Sequence, residues 1–222
     1  IISPTVDLSC ISLGWLAFFC APYFFAEHSE TFRLIAVTSF VAHRYFTFPL
    51  VYLDRIEFER RRLIYLLTPL FCLGFVVLCY YFRIDEPEMF AFWYLFNYFH
   101  FVRQKYGILR IYSGKGQWGH KQLDAWTSYL WGTAGFFYMF AYQSNVEGRV
   151  MHYLHTLLGG TPIPHAVSHA VYIAAIVLTI AWLIYEFRNA QTNWPKLLFF
   201  ASIAFMYGVV PILSTDALFI AT

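Results

Sequence analysis

Charge is scarce in this chain: of 222 residues only 13% are charged, against 59% hydrophobic. A soluble domain carries about 25% charge, so that class is excluded. Cysteine is equally sparse. Cys10, Cys20, Cys72 and Cys79 fall in or at the ends of apolar runs with no CxxC spacing, which excludes a disulfide framework or cysteine metal box and leaves small packing residues. Glycines 114, 116 and 119 in the loop Ser113 to Asp124 form no phosphate-binding pattern, so the loop, which also holds His120, is a flexible connection. The first apolar run has no positive n-region and no small-residue cleavage site, and is expected to stay rather than be cleaved as a signal sequence. No internal repeat or low-complexity tract appears.

What is present is a series of long apolar runs. Spanning about 30 Å of hydrocarbon takes roughly 20 helical residues, and seven segments meet that length: about 8–26, 31–53, 63–82, 89–108, 125–142, 166–187 and 196–217. Strands of a membrane barrel are about 10 residues long and alternate strictly, which these runs do not. The expectation is an all-α, polytopic membrane bundle of about seven helices, a single transmembrane domain over 1–222. The chain begins without Met and ends while still apolar, so a longer parent protein with further ligands is also expected.

The basic residues set an orientation. Loops after the second, fourth and sixth spans hold Arg55, Arg60, Arg61, Arg62, Arg103, Lys105, Arg110, Lys115, Lys121, Arg188 and Lys196. The opposite loops hold only Arg33, Arg83 and Arg149. Eleven against three puts the N-terminus in the cytoplasm and the end of the seventh span outside. The net charge of +2 therefore reflects topology and not a nucleic-acid partner, and the run Arg60 to Arg62 reads as a stop-transfer and headgroup anchor.

Two histidines, His43 and His100, lie half-way along the second and fourth runs, where ionisable groups are rare and point to function. At 100° per residue, Trp93, Phe96, Gln104 and Gly107 fall within about 40° of His100, with Asn97 and Arg103 at about 60°. Ser39, Thr47, Leu50 and Asp54 share the His43 face. Polar stripes of this kind are expected to turn away from lipid. Two neutral imidazoles at one depth suit a haem iron, a chlorophyll-type magnesium or part of a transition-metal site (iron, copper or zinc), with Asn97 and Gln104 orienting them. Arg44, costing at least about 2.5 kcal/mol at mid-span, needs an anionic or carbonyl partner. The competing assignment is interhelical hydrogen bonding worth about 1 kcal/mol.

A second group follows the fifth span: His152, His155, His165 and His169, spaced H-x2-H-x9-H-x3-H. Positions three or four apart share a helical face, so each pair can clamp a transition metal. The segment 145–158 reads as an external amphipathic helix, with Glu147 and Asp216 as weaker carboxylate candidates. The bland alternative is a set of solvated interfacial imidazoles. His169 lies one turn into its span and His43 about 18 Å into its own, so the two histidine groups are separate. Membrane hydroxylases and desaturases gather adjacent His-His pairs on the cytoplasmic side, a pattern absent here.

The leading expectation is a histidine-ligated metal or cofactor site serving redox or oxygenation chemistry on a lipophilic small molecule. Alternatives are a pigment- or haem-binding scaffold subunit among other membrane proteins, and a transporter with a His43, Arg44 and His100 relay. Aromatic residues, at 22%, supply the interfacial belt and core.

Overall fold

The computed structural model describes residues 52–84, 86–142, 163–189 and 191–213, with four isolated helical positions at Thr31, Leu34, Ile35 and Thr38. The first span, nearly all of the second and the segment 145–158 lie outside the described residues. All regular structure among the described residues is helical. Three helices are long and apolar enough to cross a membrane: Arg62–Tyr81, His165–Glu186 and Trp194–Ile212. The chain divides into two compact units, one holding Phe18–Met89 and the other Ile1–Ala17 with Phe90–Ala221.

The smaller unit contains α1 (Arg55–Arg60) and α2 (Arg62–Tyr81). Asp54 starts α1 by accepting from the N–H groups of Ile56 and Glu57, which satisfies two of the donors that a helix start leaves open. Arg61, at φ −133°, interrupts the helix before α2 begins. Along α2, Leu63, Ile64, Leu67, Leu70 and Phe71 are all exposed and only Cys79 is buried. That all-round apolar surface is what a membrane span presents. Pro69 has no N–H for the carbonyl of Tyr65, four residues back; Tyr52 donates its hydroxyl to that carbonyl instead, at 2.9 Å.

The larger unit is built from α3 (Glu86–Lys115, entering at its residue 90), α4 (Lys121–Tyr142), α5 (His165–Glu186), α6 (Trp194–Ala204), a π-helical turn (Phe205–Val209) and α7 (Val210–Leu213). Thirty residues make α3 about 45 Å long, well beyond a hydrocarbon core. Its C-terminal turns carry Arg110 and Ser113 past the end of the expected fourth span.

Helices α4 and α5 pack antiparallel along their length. Ser168, Tyr172, Ala175, Thr179, Trp182 and Glu186 recur at steps of four and three on α5, the spacing of a single helical face. Three rungs cross to α4: Trp182 Nε1 donates to Asp124 Oδ1 at 2.8 Å, Trp131 Nε1 donates to Thr179 Oγ1 at 2.9 Å, and Tyr142 Oη lies 2.6 Å from His169 Nε2. Polar rungs of this kind hold helices together where lipid removes the hydrophobic drive between them.

Glycines set the remaining approaches. A Cβ on Gly132 would fall 2.5 Å from a Val102 methyl, and one on Gly135 would fall 2.6 Å from the carbonyl oxygen of Tyr207. Gly208 admits the Trp131 ring. The π turn has an identifiable partner in Pro211, which cannot donate to the Tyr207 carbonyl. Tyr172 Oη fills that gap, reaching Tyr207 O at 3.4 Å and Gly208 O at 3.1 Å.

Gly135→Ala is expected to destabilise the bundle by about 1–3 kcal/mol, because the added methyl meets backbone and not a yielding side chain. Gly107→Ala, with no atom within 4 Å of the new Cβ, should instead stabilise α3 by up to about 1 kcal/mol. Thermal unfolding in detergent checks the opposite signs; equal shifts would refute the close-packing account.

Candidate functional site

Four helix ends meet at one pole of the larger unit: the C-termini of α3 and α5 and the N-termini of α4 and α6. Asp124, in the first turn of α4, is fully buried. Its Oδ2 lies 2.6 Å from Arg110 Nη1 and accepts from Ser113 Oγ at 2.9 Å. Oδ1 accepts from Trp182 Nε1 and lies 3.0 Å from Lys196 Nζ. A carboxylate has about four acceptor positions, and all four are occupied. Lys196, also fully buried, donates to Glu186 Oε1 at 2.5 Å and stands 5.3 Å from the Trp182 ring centroid. Two acids and two bases are thus linked in one cluster, Asp124, Glu186 and Lys196 buried and Arg110 partly exposed at its edge.

Glu186 at the end of α5 and Lys196 in the first turn of α6 both oppose their helix dipoles, each at a cost of about 0.3–1 kcal/mol. Their pairing offsets this, since a buried charge needs a counter-ion and hydrogen bonds. The loop between α3 and α4 closes over them. Gly119 has φ +138°, and a Cβ there would sit 2.7 Å from both Lys196 Nζ and Ser113 Oγ. His120 starts α4, accepting at Nδ1 from the Leu123 N–H at 3.2 Å and at its carbonyl from the Asp124 N–H. Trp118 stacks on Tyr185 at 5.1 Å. Asn193 starts α6 and donates to the Tyr112 carbonyl at 3.0 Å, tying α6 to α3.

The opposite ends of α4 and α5 carry different chemistry. Tyr142 contacts both histidines one turn apart on α5: its ring centroid is 4.2 Å from that of His165, and its hydroxyl meets His169 Nε2. Tyr138 stacks on Tyr142 at 4.6 Å and meets Tyr172 edge-on at 5.7 Å. His165 and His169 are exposed, and among the described residues the hydrogen bond of this pair is the one between His169 Nε2 and Tyr142. This pole is open and aromatic, whereas the charged pole is closed.

Between α3 and α4 lies an open apolar groove of about 260 Å³, lined by Leu95, Tyr98, Phe99, Val102, Tyr129 and Phe136 among others, with Phe99 exposed at its rim. The Tyr98 hydroxyl donates to the Gly132 carbonyl at 2.6 Å and presents no spare donor to a ligand.

The sequence-derived candidates are distributed unevenly over this framework. His165 and His169 stand together as their spacing predicts. His43, Arg44, His152, His155, Glu147 and Asp216 lie outside the described residues. His100 is exposed on α3, in edge-on contact with Phe101 at 6.0 Å; Gln104 and Asn97 are half-buried one turn to either side. Within the larger unit the inward face of α3 is formed instead by Tyr98, Val102, Leu109 and Tyr112. No group of three or more His, Cys, Asp or Glu side chains that could hold a metal ion occurs among the described residues. The residues missed are Asp124, Glu186 and Lys196. Charges at span ends are their only signal in the sequence, where Lys196 and Arg110 have a sufficient explanation in topology.

Comparisons with protein-family models, curated proteins and solved structures find no match to this chain.

Lys196→Met leaves Glu186 buried without its counter-ion and should cost about 3–5 kcal/mol. Adding Glu186→Gln should recover part of the loss, because Asp124 keeps Arg110, Ser113 and Trp182. A double-mutant cycle on unfolding in micelles measures this; additive losses would mean that the two residues do not act as a pair.

Proposed function

We propose that the chain is a seven-span integral membrane protein, N-terminus in the cytoplasm, that uses histidines on its outer face to hold a transition-metal ion. The chemistry served is redox or oxygenation of a lipophilic small molecule. The charged pole falls on the cytoplasmic side in this topology, in line with its basic loops, and the His165 and His169 pole falls outside.

The observation that carries the reading is the placement of His165 and His169 together against Tyr142 at the open ends of α4 and α5. Imidazole pairs at this spacing clamp iron, copper or zinc. His169 would ligate through Nδ1, because Nε2 faces Tyr142, whose oxygen then takes the outer-shell role that orients metal-bound histidines. His152 and His155, only ten residues before His165 at their nearer end, would complete the set. The open apolar groove between α3 and α4 is in keeping with a lipophilic substrate: its lining on α4 ends at Phe137, five residues or about 7.5 Å along the axis from Tyr142.

Metal analysis of the full chain in detergent, after exposure to iron(II), copper(II) or zinc(II), is expected to find one ion per chain that is lost in His165→Ala/His169→Ala. His120→Ala, which removes only a helix cap, should keep it. Failure of all three metals to bind stoichiometrically would sink the proposal. An intense visible band that disappears in His100→Ala would favour the pigment or haem scaffold instead.

A further inference from the structure

We propose that Tyr142 is a redox-active tyrosine whose oxidation is coupled to proton transfer onto His169. A phenol loses its proton when it loses an electron, so the site of oxidation is decided by which ring has a base within hydrogen-bond reach. Four hydrogen-bonded aromatic side chains along the α4–α5 seam compete. Trp131 Nε1 faces the Thr179 hydroxyl and Tyr172 Oη faces the carbonyls of Tyr207 and Gly208, which are too weakly basic to take a proton, and Trp182 Nε1 faces the Asp124 carboxylate, whose acceptor positions are already shared with Arg110, Ser113 and Lys196. Tyr142 Oη faces an imidazole nitrogen at 2.6 Å, within the range for direct proton transfer. Only there does a phenol hydroxyl lie against an imidazole nitrogen that can accept its proton.

The rings also form a continuous series. Trp131 meets Tyr172 at 6.1 Å, Tyr172 meets Tyr138 at 5.7 Å and Tyr138 meets Tyr142 at 4.6 Å. Trp131 is 8% exposed and Tyr142 39% exposed, so the series runs from the core to the rim. An oxidising equivalent formed in the core has a ring-to-ring route outward and comes to rest on the one member with a base beside it.

The step balances with a one-electron outer-sphere oxidant as co-reactant. That oxidant takes one electron from Tyr142, the O–H bond breaks, and the proton forms an N–H bond at His169 Nε2. The products are a neutral phenoxyl radical, an imidazolium and the reduced oxidant. Re-reduction sends the electron back to the phenoxyl oxygen and returns the proton from Nε2. The starting state requires His169 to be neutral with its proton on Nδ1.

The hydrogen bond between Tyr142 and His169 carries this coupling without a bound metal. A metal at His169 Nδ1 would place the proton on Nε2 and prevent the transfer, which lets the two proposals fail separately.

The full chain in detergent, washed with chelator, is flashed with ruthenium tris-bipyridine and persulfate, and the radical is read by electron paramagnetic resonance after rapid freezing. A tyrosyl signal is expected that Tyr142→Phe largely removes, while Tyr80→Phe and Tyr81→Phe leave it intact, although those two tyrosines are 87% and 77% exposed. His169→Gln keeps an acceptor but not a base, and should lower the yield several-fold; imidazole added to His169→Gly should restore it. A signal undiminished in Tyr142→Phe, or a His169→Gln yield equal to the unmodified chain's, overturns the assignment. Zinc(II), itself redox-inert, should quench the signal. A signal that persists at saturating zinc overturns the metal proposal and upholds this one, whereas no Tyr142 signal in the zinc-free chain overturns this one alone.

Discussion

The carboxylate of Asp124 is the constraint on which the larger unit depends. Its two oxygens collect an arginine and a serine from α3, a tryptophan from α5 and a lysine from α6, so one side chain fixes four helix ends at a common level. Nothing apolar could do this, because hydrocarbon contact does not specify direction. The arrangement is strict in a second way: with every acceptor position used, a change to any one donor leaves a buried vacancy on the carboxylate. Gly119 belongs to the same device, since only a residue without a Cβ lets the backbone lie across the lysine and serine beneath it.

Closing one pole frees the other. The seam between α4 and α5 begins at a saturated charge cluster and ends at exposed imidazoles and phenols. Rigidity at the closed end sets the depth and rotation of both helices, and therefore the position of Tyr142 relative to His165 and His169. Chemistry placed on the open pole inherits a geometry that its own few contacts do not have to define.

The sequence made the helices legible wherever apolarity ran long enough. The expected spans 63–82 and 166–187 differ from α2 and α5 by one residue at each end. The fourth, read as an apolar run over 89–108 with a polar continuation, runs on as one helix to Lys115, and Arg110 and Ser113 carry that continuation into the charge cluster. Asp124 and Lys196 were illegible for a different reason. They are 72 positions apart, each sits at the edge of a span where charge has an ordinary topological explanation, and no periodicity links them. The His165 and His169 pair could be found because four residues make one helical turn, whereas Tyr142 could not, since an aromatic residue at a span end has a ready place in the interfacial belt. His120, which its glycine neighbours assign to a flexible connection, instead starts α4 through its ring nitrogen.

Two prolines, Pro69 and Pro211, leave a carbonyl without its usual donor, and in both cases a tyrosine hydroxyl from elsewhere in the same unit supplies one. The second case carries the π turn with it, and that turn has a geometric result beyond its hydrogen bonds. A π turn accommodates one residue more than an α turn, and one residue is worth about 100° of rotation about the axis. Everything beyond Val209 is therefore out of phase with Trp194–Ala204. Val210 and Pro211 point inward and Ile212 outward on a compass that has been reset, so the last stretch of this helix offers its neighbours a face that an uninterrupted helix would have turned aside.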